Sequence, residues 1–307
     1  MRWPNKDFVN QKKQIQWFFA GLALLTIPIA SALAQSTLEK ITKSNTIALG
    51  FRDAAAPFAY LDDNKRPVGY SIDLCLKIVD AVKKELKRND LSIKYIPVTA
   101  ATRLTALTSN EIDLECGSTT STAERRKQVS STIPTFVASV RLLVPAKSSV
   151  KSIYDLMSKT VVTTKGSSSE ALFNELNKNH TLRAKLVLGK DHNESFSILE
   201  SGKADAFILD DVLLASLRAS AQNPDQYVLT RDPLTIEPLS IMLRKDDPGF
   251  KKLVDGELHR IITQGEINAI YRKWFESPIP PKQTNLKLPM SYLLRDSFKA
   301  PTDWLPQ

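Results

Sequence analysis

The sequence predicts an α/β protein of two similar units, each built on a mainly parallel sheet. Two observations carry this expectation. Helical and strand patterns alternate along the whole chain after residue 35, and the two halves repeat one theme, a strand leading through hydroxyl-rich residues into a helix. Asn110-Glu111-Ile112-Asp113 steps into an apolar strand in the first half, and Ser201-Gly202-Lys203-Ala204-Asp205 does so in the second. This is weak internal duplication rather than a repeat array. The roughly 270 residues from Gln35 onward exceed what one small core needs, so two domains are expected.

Residues 1–34 read as an export leader. Arg2, Lys6, Lys12 and Lys13 precede an apolar run from Trp17 to Ile29, and Ala32-Leu33-Ala34 supplies a small-x-small cleavage pattern. The run is shorter than the ~20 residues of a spanning helix, and no cysteine follows it for lipid attachment. The mature chain is expected to begin near Gln35 in a Gram-negative periplasm.

In the first unit, Thr46 to Phe51 reads as a strand. Ile72 to Leu86 reads as an amphipathic helix on the spacing of Ile72, Leu76, Val79 and Val82. Leu91 to Val98 alternates as a strand, Arg103 to Thr108 is a short helix, and Ile112 to Glu115 is a strand. Cys116 to Thr122 then reads as a turn of small polar residues. Ser121-Thr122-Ala123-Glu124 fits a capping box, so a helix is expected from about Thr122, with Glu124, Arg125 and Arg126 on its solvated face.

The second unit starts near Val150. Strands are expected over Lys159 to Thr164, Lys185 to Leu188 and Ala204 to Leu209, with helices over Glu170 to Asn177, Glu194 to Ser201 and Val212 to Ala221. After residue 230 the chain returns to a strand (Ser240 to Leu243), a helix (Gly249 to Thr263) and a last helix through Trp274. Pro278-Ile279-Pro280-Pro281 ends that helix, and the tail is expected to run over the surface.

Composition excludes several function classes. The formal net charge is +9, and +6 without the leader's four positive charges and Asp7, with no long basic block, so no nucleic acid partner is expected. Cys75 and Cys116, with His180, His192 and His259, show no metal-ligand spacing. Both cysteines sit in apolar segments, where either a disulfide or two buried thiols fits. Nucleophile-elbow, zinc-protease, phosphate-loop and dinucleotide motifs do not occur. No cofactor is expected.

A binding role suits the pattern better, because ligands of open α/β sheets sit beyond the carboxyl ends of strands. Arg52, Ser118, Thr120, Ser167, Ser168, His192 and Asp210 all fall at such ends, and Arg103 opens a helix after one. Backbone N–H groups and hydroxyls around Ser118 to Thr120 suit a carboxylate, although a plain helix cap would look the same. The Arg103 fork matches a carboxylate in bidentate fashion, although a helix arginine also commonly faces solvent. Of Asp210 and Asp211, one can take an ammonium while the other caps the next helix; spacing does not choose.

Five segments carry a resemblance. "PFAYLDDNKRPVGYS" (Pro57 to Ser71), "ECGSTTSTAERRKQ" (Glu115 to Gln128), "KDHNESFSILESGKADAFILDD" (Lys190 to Asp211), "MLRKDDPGFKKL" (Met242 to Leu253) and "KWFESPIPPK" (Lys273 to Lys282) occur in order. The chain resembles the periplasmic solute-binding proteins of polar amino acid ABC transporters, family 3, and most closely their glutamate/aspartate branch. The resemblance implies a type II two-lobed fold closing on one amino acid, with lobe 1 over 35–142 and 236–307 and lobe 2 over 147–231. Hinge crossings would fall near Leu143 to Ala146 and Thr230 to Ile236. It also implies a monomer that serves an inner-membrane ABC permease.

Carried over by position, Arg103 would hold the ligand's α-carboxylate, and Ser118 and Thr120 would share it or accept from the α-ammonium. Asp210 would pair with the ammonium, Arg52 and His192 would meet a side-chain carboxylate, and Ser167 and Ser168 would donate from lobe 2. Ala100 stands where acidic amino acid binders carry a serine, and Cys75 is extra. The expected ligand is L-glutamate or L-aspartate, with no catalytic residue. The competing expectations are an exported prephenate- or arogenate-type dehydratase of the same fold, and an amino acid sensor subunit.

Overall fold

The computed structural model describes residues 35–303, so the expected leader lies outside the described residues. Helix α1 (Thr37–Ser44), capped by Ser36, leads into β1 (Thr46–Phe51). Strands β2 (Ala54–Ala55), β3 (Ala59–Leu61) and β4 (Pro67–Val68) make a small antiparallel sheet. Helix α2 (Tyr70–Leu86) buries Ile72, Val79 and Val82, as its spacing predicts, with Cys75 and Ile78 beside them, whereas Leu76 is half-buried. There follow β5 (Ser92–Pro97), α3 (Arg103–Thr108), β6 (Leu114–Thr120), α4 (Ala123–Gln128) and β7 (Val129–Ser131). Strand β1 lies between β5 and β6 and is parallel to both, so the ends of all three strands open on one edge.

Strand β8 (Phe136–Pro145) carries the chain across to the second half. That half comprises β9 (Thr160–Thr164), α5 (Ser168–Asn179), β10 (Lys185–Gly189), α6 (His192–Glu200), β11 (Ala206–Asp210), α7 (Asp211–Ser220) and β12 (Tyr227–Leu229). Strand β13 (Thr235–Arg244) brings the chain back. The remainder forms α8 (Pro248–Thr263), α9 (Glu266–Tyr271), the two-stranded β14 (Pro278–Ile279) and β15 (Thr284–Asn285), and α10 (Tyr292–Ser297). One ten-stranded sheet runs through both halves in the order β10-β9-β11-β8-β13-β6-β1-β5, with β12 on β8 and β7 on β13.

Strand pairing places the changeover at Val140, which faces Asp210 on one side and Thr235 on the other. The crossing expected at Leu143 to Ala146 is therefore too late in the chain. Leu142 and Leu143 already pair with β11, and Val144 and Pro145 with β12, because this apolar run completes the second sheet. The start of β8 is anchored by Phe136, whose ring lies 5.0 Å from Phe275 and 5.1 Å from Phe58 between centroids.

Four further expectations change. Cys116 to Thr120 is strand rather than turn, because Thr119 and Thr120 pair with Ser240 and Leu239 of β13. The helix cap moves one residue, since Ser121 still donates its N–H to Pro238 O and its hydroxyl to Ser131, leaving Thr122 to cap α4. Arg125 is not solvated: it is 8% exposed and covered by the second half. The tail does not simply run over the surface, because α10 buries Leu294, and Leu288, Met290 and Phe298 pack on the main core.

Cys75 on α2 and Cys116 on β6 form a disulfide, which settles the choice the sequence left open. The bond closes a loop with a sequence separation of 41 that contains β5 and α3. Replacing both cysteines with alanine is expected to lower stability by about 2–4 kcal/mol. Denaturant unfolding checks this; an unchanged midpoint would show that the bond contributes nothing.

Candidate functional site

The edge where β1, β5 and β6 end faces the ends of β9, β10 and β11, and all eight residues singled out from the sequence come together there. Arg52, Arg103, Ser118, Thr120, Ser167, Ser168, His192 and Asp210 line one small cavity, completed by Ala100 and Leu209. Arg52 directly follows β1, Arg103 opens α3, and Ser118 and Thr120 alternate along one face of β6. Across the cavity, Ser167 caps α5 by accepting from Glu170 N, His192 opens α6, and Asp210 ends β11.

The pair of aspartates separates cleanly. Asp211 Oδ1 accepts from the backbone N–H of Val212 and of Ser139, so it serves the helix start and the crossing strand. Asp210 makes no capping bond, and its buried Oδ1 has no partner among the described residues. Arg52 Nη1 and Arg103 Nε are likewise buried without a partner among them. Two cationic donors and one carboxyl oxygen thus share a single small space. Leaving such groups unpaired costs about 1–3 kcal/mol each, more for charged ones, so the site favours a solute that pairs all three.

The charges perturb one another. Burial, then the Arg103 charge, push the Arg52 guanidinium down to about 10, which leaves it charged at neutral pH. Burial also lowers Arg103, against the opposing pull of Glu115, Asp210 and Glu237. Burial, then Arg52 and Arg103, hold His192 well below its ordinary 6.5, so the imidazole is neutral. Its Nε2 lies 3.4 Å from Arg52 Nη2, and a guanidinium only donates, so Nε2 accepts and the ring proton sits on Nδ1. That proton faces Thr164 Oγ1 at 2.7 Å, and the chain continues to Ser195 at 2.9 Å and Asp191 O at 2.8 Å. His192 therefore aims Arg52 rather than adding a cation of its own.

Three charged residues escaped the sequence reading. Glu115 is fully buried on β6, accepts from the Thr119 hydroxyl at 2.6 Å, and offsets the charges of Arg52 and Arg103. Arg125 donates to Thr120 O at 3.0 Å and to Gly166 O at 3.1 Å, joining the two halves; burial first, then Arg103, push it down to about 9. Glu237 on β13 accepts from the hydroxyls of Thr120 and Ser168. Position in a solvated-looking helix or a short strand gave no signal for them. Only the T-T-x4-R spacing, with Arg125 five residues beyond Thr120, hinted at a shared site.

Closeness of the halves requires glycine at 166. Its φ is +79°, and a Cβ there would stand 2.6 Å from Ala101 Cα.

Comparison with known proteins bears on this geometry. The family profile "Bacterial extracellular solute-binding proteins, family 3" matches residues 47–277. The chain belongs to this family. Among similar family 3 proteins, the "Glutamate/aspartate import solute-binding protein" of Escherichia coli K12 is 41% identical over 290 residues, 92% of this chain and 96% of the relative. The "L-glutamate/L-aspartate-binding protein" of Pseudomonas aeruginosa is 44% identical over 282 residues, 92% and 93% of the two chains. Of solved structures, an ancestral arginine-binding protein bound to arginine matches with a TM-score of 0.68 at 27% identity, covering 75% of this chain and 98% of that one. The cysteine-binding protein from Campylobacter jejuni matches at 0.70 and 25% identity, covering 78% and 93%. The fold is that of the type II amino-acid-binding proteins, as the family resemblance implies.

Burial, then the Glu237 charge, raise Asp210 well above the ordinary carboxylate range. A carboxyl raised on folding favours the folded state at low pH and loses that benefit as pH rises through its folded value. Asp210→Asn should therefore stabilise the ligand-free protein at neutral and higher pH, by about 2–4 °C in Tm per kcal/mol recovered, with the gain vanishing in acid. Thermal melts across pH check this. A loss of Tm at neutral pH would contradict it.

Proposed function

We propose that this protein is the periplasmic solute-binding component of an amino acid ABC importer, taking L-glutamate or L-aspartate between two lobes. The single observation that carries the reading is the unpaired trio in one cavity: Arg52 Nη1, Arg103 Nε and Asp210 Oδ1. An acidic amino acid offers two carboxylates and one ammonium, the complement of two guanidinium groups and one carboxylate. Arg103, with Ser118 and the nearby Arg125, takes the α-carboxylate. Arg52, aimed by His192, takes the side-chain carboxylate, and Asp210 takes the ammonium. Ser167 and Ser168 contribute from the second half.

The names of the Escherichia coli and Pseudomonas aeruginosa relatives support this ligand class and favour import over catalysis or sensing. In this reading the leader, residues 1–34, directs export. Lobe 1 comprises the residues before β8 and after β13, lobe 2 those between, and ligand contacts to both lobes stabilise closure. The mature chain acts as a monomer without nucleic acid, and hands its amino acid to an inner-membrane permease.

Calorimetry of the mature chain against the twenty amino acids tests the reading. Binding of L-glutamate or L-aspartate at micromolar Kd or tighter is expected, about −8 kcal/mol or better; no heat with either would sink it. Arg103→Ala should abolish binding of every ligand. Arg52→Ala should lose acidic ligands preferentially, and an equal loss for a neutral amino acid would refute the division between the two arginines.

A further inference from the structure

Glu237 has no part in the binding scheme above. It lies on the returning crossing strand, opposite Ala138 of β8, and is 7% exposed. Its Oε2 accepts from Thr120 Oγ1 at 2.5 Å and from Ser168 Oγ at 2.6 Å, and those two hydroxyl oxygens lie 3.2 Å apart. Thr120 belongs to the first half and Ser168 to the second, so the carboxylate gathers both from the strand between them.

Each hydroxyl carries one hydrogen, and a carboxylate can only accept. Both hydrogens are therefore committed to Glu237. What Thr120 and Ser168 can still offer the cavity they line is lone pairs. Asp210 Oδ1, in the same cavity, is a third acceptor without a partner among the described residues. Three acceptors lining one cavity suit a group that brings three N–H donors and a positive charge. They repel a keto oxygen and suit a hydroxyl, with its single hydrogen, poorly.

We propose that Glu237 is a positioning residue for ligand class: by fixing the Thr120 and Ser168 hydroxyl hydrogens away from the cavity, it makes these residues and Asp210 a three-acceptor receptor for the α-ammonium. This rests on the amino acid reading above and deepens it. Discrimination between an amino acid and the hydroxy acid of the same skeleton is thereby assigned to a residue behind the cavity wall.

The test is calorimetry with L-glutamate and (S)-2-hydroxyglutarate, which share both carboxylates and differ only at the α-substituent. The wild-type mature chain should prefer L-glutamate strongly. Glu237→Gln frees the hydroxyls to turn and removes a charge beside the ammonium. It should weaken L-glutamate by roughly tenfold or more while weakening the hydroxy acid less, so the preference ratio falls. A merely structural defect would weaken both ligands alike and leave the ratio unchanged, which overturns the proposal, as does an unchanged affinity for L-glutamate. Should Glu237→Gln fail to fold, Thr120→Val and Ser168→Ala each remove one acceptor, and the same selective loss is expected; equal losses for the two ligands overturn the proposal. Wild-type protein that binds neither L-glutamate nor L-aspartate sinks the functional reading and this inference with it, whereas wild-type binding with an unchanged ratio in Glu237→Gln overturns this inference alone.

Discussion

Burying three guanidinium groups in one region is a heavy electrostatic demand, and much of the site is organised around meeting it. Arg52, Arg103 and Arg125 are each at least nine-tenths hidden from solvent, and Arg103 depresses both of the others. Glu115, Asp210 and Glu237 oppose this from three different strands, β6, β11 and β13. Because the counter-charges come from separate strands, the balance exists only where β6, β11 and β13 come together. Gly117 makes room for the closest of them: a Cβ there would meet Glu115 Oε1 at 2.3 Å and Arg52 Cγ at 2.9 Å. Of the atoms left unpaired, those of Arg52, Arg103 and Asp210 belong to residues that line the cavity.

The regular elements were legible because their signals are local. Thr46–Phe51 and Arg103–Thr108 match the sequence expectation to the residue, since apolar alternation and helical spacing need only neighbours. Cys116 to Thr120 was misread because small hydroxyl residues carry a turn signature. Their strand character comes from pairing with Leu239 and Ser240, more than a hundred residues later. Arg125 was misread for a related reason. A short helix with consecutive charges looks solvated until Gly166, from the other half, covers it. The cavity residues themselves were findable, because strand ends converge in this topology and a family resemblance named them. Their charge balance was not, since Glu115 and Glu237 act from behind the wall and carry no motif.

The solved structures of similar fold include an arginine-binding and a cysteine-binding protein. One scaffold therefore accommodates ligands of different charge, and the fold alone does not select among them. In the proposed scheme selection rests on few atoms: a second buried arginine at position 52, held by a neutral histidine, with Ala100 lining the same cavity. A neutral His192 fits this arrangement well. A protonated ring would repel Arg52, whereas the neutral ring accepts from it and donates its Nδ1 hydrogen to the buried Thr164, which is bonded in turn to Ser195.

The contact between Gly166 and Ala101 sets a mechanical limit as well. Since the missing side chain lets one backbone rest against another, the spacing of the two walls is gauged by a single absent carbon. A methyl group at that spot would act as a spacer, holding the walls apart with every cavity residue intact. Affinity in this molecule can thus be lost, or graded, at a residue that offers no side chain to any solute.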